Sequence, residues 1–201
     1  MRSFKPILAV LPFEQQLLWP LLRPVRDLGF VLYGGTAVAL RCGNRQSVYF
    51  DFFGPSPLEK EKLRKAPPFI LEGTVIQDEI NTLTILASSV KLSFFGVGVK
   101  SVSPPDLTDD GVALVASPVD LMAYKLKVIL QRAEAKDYFD IAALIDNGTS
   151  IKEGINGAQT IFGKTFQPME SLKALTYFED GDLVSLDLDT KTRLKESVEN
   201  F

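Results

Sequence analysis

Three short segments gather the residue types from which chemistry is built. The first, Gly34-Gly35-Thr36, stands between a β-rich run and a helical one. Adjacent glycines let backbone N–H groups approach a ligand with no Cβ in the way. The helix that follows aims its first free N–H groups and its dipole at the same point, which is an anion site in principle. The same residues also make a tight strand-to-helix turn with Thr36 as cap. The second segment, "NRQSVYFDFF" (44–53), holds Asp51. On a strand, Tyr49, Asp51 and Phe53 share one face, while Val48, Phe50 and Phe52 share the other. A carboxylate buried without a partner is costly, so Asp51 must meet a metal, a cluster of donors or a cation such as Arg45 or Lys91. The third segment, residues 120–145, carries Lys125 and Arg132. Their spacing puts them on one face of a continuous helix, beside an apolar stripe of Met122, Leu126, Ile129 and Ala133. Two cations there can grip phosphates. Lys136, Asp137 and Asp140 follow, and Lys136 with Asp140 would pair on the surface for only about a few tenths of a kcal/mol. The whole segment also reads as a solvated face with local ion pairs.

These residues need elements to hold them. Periodicity and punctuation predict a helix over 13–27, interrupted by Pro20 and Pro24, and a short strand in "GFVLYGG" (29–35). "TAVALRCG" reads as a helix closed by Gly43, "SVYFDFF" (47–53) as a strand, and 57–65 as a charged helix. β-like runs follow at 69–77, 82–87, 89–95 and 112–116. Residues 118–147 form the strongest helical stretch, with Ser117 as cap, Pro118 in the first turn and Asn147-Gly148 as its end. Further helices are expected at 152–163, 169–178 and 190–200. Strands first and helices later predict an α+β fold, with a sheet domain over 1–116 and a helical part over 117–201.

Composition narrows the chemistry. The chain has 201 residues, no histidine and a single cysteine, Cys42. Without histidine, zincins, Ser-His-Asp and Cys-His hydrolases and His-ligated metals are excluded. One cysteine forms no internal disulfide and suits a reducing, cytoplasmic setting. No apolar run reaches membrane-spanning length, and Pro6 and Pro12 bracket the short apolar N-terminal stretch, which reads as mature sequence, with a signal peptide as the alternative. Residues 1–100 carry 12 basic and 8 acidic side chains, and the rest carries 10 and 17. A net charge of −3 is wrong for a dedicated nucleic-acid binder, although the basic N-terminal half can face a phosphate locally.

Taken in order, "FVLYGGTAVALRCGNRQSVYFDFF", "SSVKLSFF" and "DLMAYKLKVILQRAEAKDYFDIAALI" resemble the AbiEii/AbiGii-type nucleotidyltransferase toxins of bacterial abortive-infection and toxin–antitoxin systems. "LKALTYFEDGDLVSLD" resembles the C-terminal part of that family, so the likeness spans roughly residues 28–189. It implies a nucleotidyltransferase-like mixed β-sheet with flanking helices and a helical C-terminal part. It also implies an NTP substrate, Mg²⁺ held by carboxylates on adjacent strands, and transfer of a nucleotidyl group to an acceptor such as tRNA or another RNA. A cognate antitoxin is the implied protein partner. Carried over, Asp51 is the metal ligand, and Asp51, Lys125 and Asp137 are the catalytic residues. Gly34, Gly35, Thr36, Arg45, Ser47, Arg132 and Lys136 are the phosphate-binding ones.

The departures from that pattern are specific. Where the family strand reads S-x-D-x-D, this chain has Ser47-Val48-Tyr49-Phe50-Asp51, so Tyr49 stands in place of the first carboxylate. Asn44 takes the place of the usual histidine, and Ser93 that of the third carboxylate. Hard divalent cations want several oxygen ligands, and a phenol and a hydroxyl are poor replacements. Glu72, Asp78 and Asp137 are the acids available to compensate. Two expectations follow: a nucleotidyltransferase with a depleted metal-carboxylate set, or a catalytically weak or inactive relative that binds a nucleotide or a partner protein.

Overall fold

The computed structural model describes residues 2–65 and 67–201. The fold is the expected mixed multi-stranded sheet with flanking helices, followed by a helical C-terminal region. The chain divides into two compact units: residues through Lys100 with Pro104–Ala116, and Ser101–Ser103 with Ser117–Phe201. No described helix is long and apolar enough to cross a membrane.

The first unit is built on an eight-stranded sheet: β1 (Ser3–Phe4), β2 (Val31–Tyr33), β3 (Tyr49–Phe53), β4 (Thr74–Glu79), β5 (Thr82–Ala87), β6 (Val90–Phe95), β7 (Asp106–Thr108) and β8 (Leu114–Val115). Their order across the sheet is β1-β7-β8-β2-β3-β6-β5-β4. At its centre β3 runs antiparallel to β2 and parallel to β6. The alternation read for this segment holds within β3, where Phe50 and Phe52 are buried and Tyr49 is exposed, but Val48, expected on the Phe50 face, lies before the strand and is exposed. Phe52 stacks on Phe94 with ring centroids 5.5 Å apart and on Phe50 at 6.0 Å, and Trp19 reaches Phe50 at 6.2 Å. Each such pair adds about 0.5–1.5 kcal/mol beyond the area it buries. This aromatic layer makes β3 the rigid strand from which Asp51 projects on the opposite face.

Helices flank the sheet. The 13–27 segment is not one helix but α1 (Phe13–Leu18), a 3₁₀ turn (Trp19–Leu22) and α2 (Arg23–Asp27). Pro20 and Pro24 each fall in the first turn of a new element, where a missing N–H costs nothing. α3 (Gly34–Cys42) ends as expected at Gly43, whose φ of 68° is the left-handed C-terminal cap. The charged helix is the shorter α4 (Lys60–Lys65). The β-like run at 69–77 is corrected: Pro68 opens a helix, α5 (Pro68–Glu72), and only then does the edge strand β4 begin. β1 and β7 are too short to leave a period in the sequence. They are secured by Arg41 of α3, which pairs with Asp106 at 2.8 Å, donates to the Val115 and Ala116 carbonyls and lies 4.1 Å over the Phe4 ring.

The second unit holds α6 (Pro118–Val128), α7 (Ala135–Asp146), α8 (Ile151–Phe162), α9 (Pro168–Ala174) and α10 (Leu188–Glu199). Ser117 caps α6 as read, accepting from the Asp120 N–H, and the buried Asp120 carboxylate accepts from the backbone of Val102 at 2.7 Å. The single helix expected over 118–147 is corrected to two, with a turn at 129–134. No Gly or Pro marks that break. A distant residue imposes it: Asp182 accepts from the Ala135 N–H at 2.6 Å and so caps α7 from outside its own sequence. α6 and α8 approach closely over Gly154 and Gly157. A Cβ at Gly154 would collide with the buried Met122 and stand 2.9 Å from Leu126 Cδ1. Gly154→Ala gains about 1 kcal/mol of helix propensity but overpacks the contact by about 1–3 kcal/mol. A lower urea midpoint is expected. An equal or higher midpoint would mean that Met122 yields freely.

Candidate functional site

β2 ends at Tyr33, and α3 begins on the two glycines without a side-chain cap. Gly34 adopts φ 73°, a conformation that side chains disfavour, and a Cβ there would stand 2.9 Å from Asp51 Oδ2. A Cβ at Gly35 would stand 2.5 Å from Arg45 Nη2 and 3.1 Å from Ser47 Oγ. The glycines therefore leave space into which three side chains have closed: Asp51, Arg45 and Ser47. Thr36 lies beneath them. It is buried, its hydroxyl donates to the Tyr49 carbonyl, and its Oγ1 lies 2.9 Å from Ser47 Oγ. Its hydroxyl thus ties α3 to the start of β3 and does not face outward, nor does it cap the helix. Arg45 also donates to the Gln46 carbonyl at 2.9 Å.

The pairing of β3 with β6 shows what surrounds Asp51. Tyr49 stands opposite Lys91, Asp51 opposite Ser93, and Phe53 opposite Phe95. The Ser93 hydroxyl is buried and lies 3.4 Å from Thr84 Oγ1. The ammonium of Lys91 lies 5.1 Å from the centroid of the exposed Tyr49 ring. Ser93 thus occupies the position directly across from the one carboxylate, and Tyr49 the position two residues before it. Among the described residues no three of His, Cys, Asp and Glu gather to hold a metal ion. Asp78 is engaged elsewhere, by Lys60 and by Arg64 at 2.7 Å. One carboxylate flanked by a phenol, a hydroxyl and an ammonium does not fit a two-metal site, which needs bridging carboxylates.

The cations expected on the helical segment lie in the second unit. Lys125 is buried, with its ammonium 2.6 Å from Asp137 Oδ1 and 2.6 Å from Asp140 Oδ2, and both carboxylates are fully buried. Arg132 lies in the α6–α7 turn and not on a shared helix face with Lys125. It nonetheless meets the same Asp137, its Nε 2.8 Å from Oδ2 and its Nη2 3.2 Å from Oδ1. Burial pushes the Asp137 carboxyl up, but Lys125 and Arg132 together overcome this and hold it below the usual carboxylate range. The expected surface pair of Lys136 with Asp140 does not form: Lys136 meets Glu134 at 2.5 Å, and Asp140 belongs to Lys125. Arg132 and Lys136 keep about half of their side-chain surface exposed, at 45% and 49%.

The structure brings Gly34, Gly35, Arg45, Ser47 and Asp51 together in one unit, and Lys125, Arg132 and Asp137 in the other. From the sequence, Lys91 reads only as a partner for Asp51. Its place on the site face follows from strand alternation with Ser93, a signal present in "VKLSFF".

A family model described as "Nucleotidyl transferase AbiEii toxin, Type IV TA system" matches residues 16–167. An uncharacterized protein, aq_aa25 of Aquifex aeolicus (strain VF5), is 27% identical over 187 residues, covering 85% of this chain and 89% of its own length. Among solved structures, JHP933 from Helicobacter pylori superposes with a TM-score of 0.59 at 16% identity, covering 93% of this chain and 89% of that one. MenT4, the nucleotidyltransferase toxin Rv2826c of Mycobacterium tuberculosis H37Rv, gives 0.54 at 14% identity, covering 93% and 91%. At such identities the two structures share the fold alone.

Proposed function

The chain belongs to the AbiEii nucleotidyl transferase toxin family, and from that premise we propose that it binds a nucleoside triphosphate at the Gly34-Gly35 turn and transfers a nucleotidyl group, slowly, to an acceptor such as RNA. The closure of Arg45, Ser47 and Asp51 around that turn carries the proposal. Backbone N–H groups at the start of α3, with Arg45 and Ser47, hold the phosphates. The acceptor oxygen attacks the α-phosphorus, the bond to the β-phosphate oxygen breaks, and pyrophosphate leaves. Asp51 takes the acceptor's proton. This is catalysis by positioning and charge neutralisation. In the second unit the carried-over candidates are Arg132 and Lys136, both about half exposed, with Lys125 and Asp137 fixing Arg132. The toxin–antitoxin description of the family supports an antitoxin as the protein partner.

Tyr49 and Ser93 in the carboxylate positions favour a second reading, a relative that binds nucleotide without transferring it. One experiment separates the two. The protein is incubated with each α-labelled NTP and total tRNA, and NTP binding is measured in parallel by calorimetry. Slow incorporation of label into RNA, abolished by Asp51→Ala, is expected. Binding without incorporation establishes the second reading, and absence of binding defeats both.

A further inference from the structure

A site for a triphosphate must neutralise about four negative charges, and a divalent ion normally supplies much of that. Among the described residues, the face around Asp51 lacks the acids that would gather such an ion, but it presents a cation of its own. Lys91 of β6 lies opposite Tyr49 in the parallel register, one row from the Asp51–Ser93 pair. Thr36 binds the Tyr49 carbonyl, which fixes that row beside the start of α3 and the Gly34-Gly35 turn. Lys91 is half-buried, and its Nζ lies 5.1 Å from the centroid of the Tyr49 ring. Among the described residues no carboxylate lies within ion-pair distance of it.

Resting on the nucleotide-site reading above, we infer that Lys91 takes over charge neutralisation from a divalent cation, so that this site binds the triphosphate of an NTP without metal. Tyr49 and Lys91 together make one electrostatic device. A phenol at position 49 removes the acid that would attract Mg²⁺ and gives Lys91 an aromatic face to rest on. The ammonium beside it repels a divalent cation and attracts phosphate oxygens. Arg45 and Lys91 then approach the triphosphate from two sides, and the glycine turn presents its N–H groups from a third.

The test is calorimetric titration of the full chain with each of the four NTPs, once in EDTA and once in MgCl₂. The unaltered protein is expected to bind at least as tightly in EDTA as in Mg²⁺. Lys91→Met, which keeps the stem and removes the charge, is expected to weaken binding in EDTA by about 10- to 100-fold, the range of a lost charge-assisted contact. Lys91→Arg restores most of it. A thermal unfolding midpoint equal to that of the unaltered protein certifies the fold of each variant. Binding that requires Mg²⁺ and is indifferent to Lys91→Met overturns the inference and leaves the nucleotide site standing. No binding in either buffer overturns the site itself, and the role of Lys91 with it.

Discussion

Lys125→Met is expected to lower the unfolding free energy by about 3–5 kcal/mol at neutral pH, the cost of removing one partner from a buried ion cluster. Lys125 places its ammonium 2.6 Å from each of two fully buried carboxylates. Without it, Asp140 loses this partner and Asp137 is left to Arg132, whose side chain is 45% exposed. The pH dependence distinguishes this mechanism from simple loss of packing. In the unaltered protein Asp137 titrates below its unfolded value. It therefore contributes stability above the unfolded pKa, and that stability is lost as pH falls through the lower folded value. In the variant Asp137 loses one of the two cations that overcame its burial, so this pH-dependent contribution to stability shrinks. Urea unfolding across the acid range is expected to show a difference between the two proteins that is largest at neutral pH and shrinks as pH falls below the unfolded value of Asp137. Lys125→Met with Asp140→Leu is expected to recover most of the loss, because it removes a buried carboxylate that Lys125 neutralised and keeps the Arg132–Asp137 pair. A difference independent of pH would make the cluster a packing feature and not an electrostatic one.

The same cluster shows where a sequence is readable. Ser117, Gly43 and the alternation of β3 act on their immediate neighbours, and each did what its residue type dictates. The position of Ser93 opposite Asp51 was also legible, through the family pattern, and the register carries it. What was not legible depends on contacts between distant residues. The α6–α7 break is enforced by Asp182, far along the chain, so helical periodicity ran through a turn that holds no helix breaker. Arg132 and Lys125 converge on Asp137 because of that break, not because they are seven residues apart on a helix. Thr36 has the composition of a cap, but burial against Ser47 and Tyr49 gives its hydroxyl a different use. Pro68 misled in the other direction: a β-like run of apolar residues became a helical turn because proline opened it and Gly73 closed it.

Restoring a carboxylate at position 49 is the second large effect, and Lys91 decides how it must be made. Strand alternation puts residues 49 and 51 on one face, so Tyr49→Asp would set two carboxylates side by side, the arrangement that holds bridging metal ions. The side chain at 49 is 49% exposed, so the substitution leaves the aromatic core of Phe50, Phe52 and Phe94 intact. But position 49 pairs in register with Lys91, whose ammonium already lies against the side chain there. A new carboxylate would form an ion pair with that ammonium before it met a metal. Tyr49→Asp alone is therefore expected to weaken metal-free NTP binding, by engaging Lys91, and to gain little from Mg²⁺. Tyr49→Asp with Lys91→Met removes the competitor. Its NTP binding is expected to tighten by about 10-fold or more on adding Mg²⁺, about 1.4 kcal/mol of new metal-mediated interaction, and its labelling of RNA to rise with it. If the double variant is as indifferent to Mg²⁺ as the unaltered protein, the phenol at 49 is not what separates this site from a metal-dependent one. The buried Ser93, held against Thr84, would then be the decisive replacement.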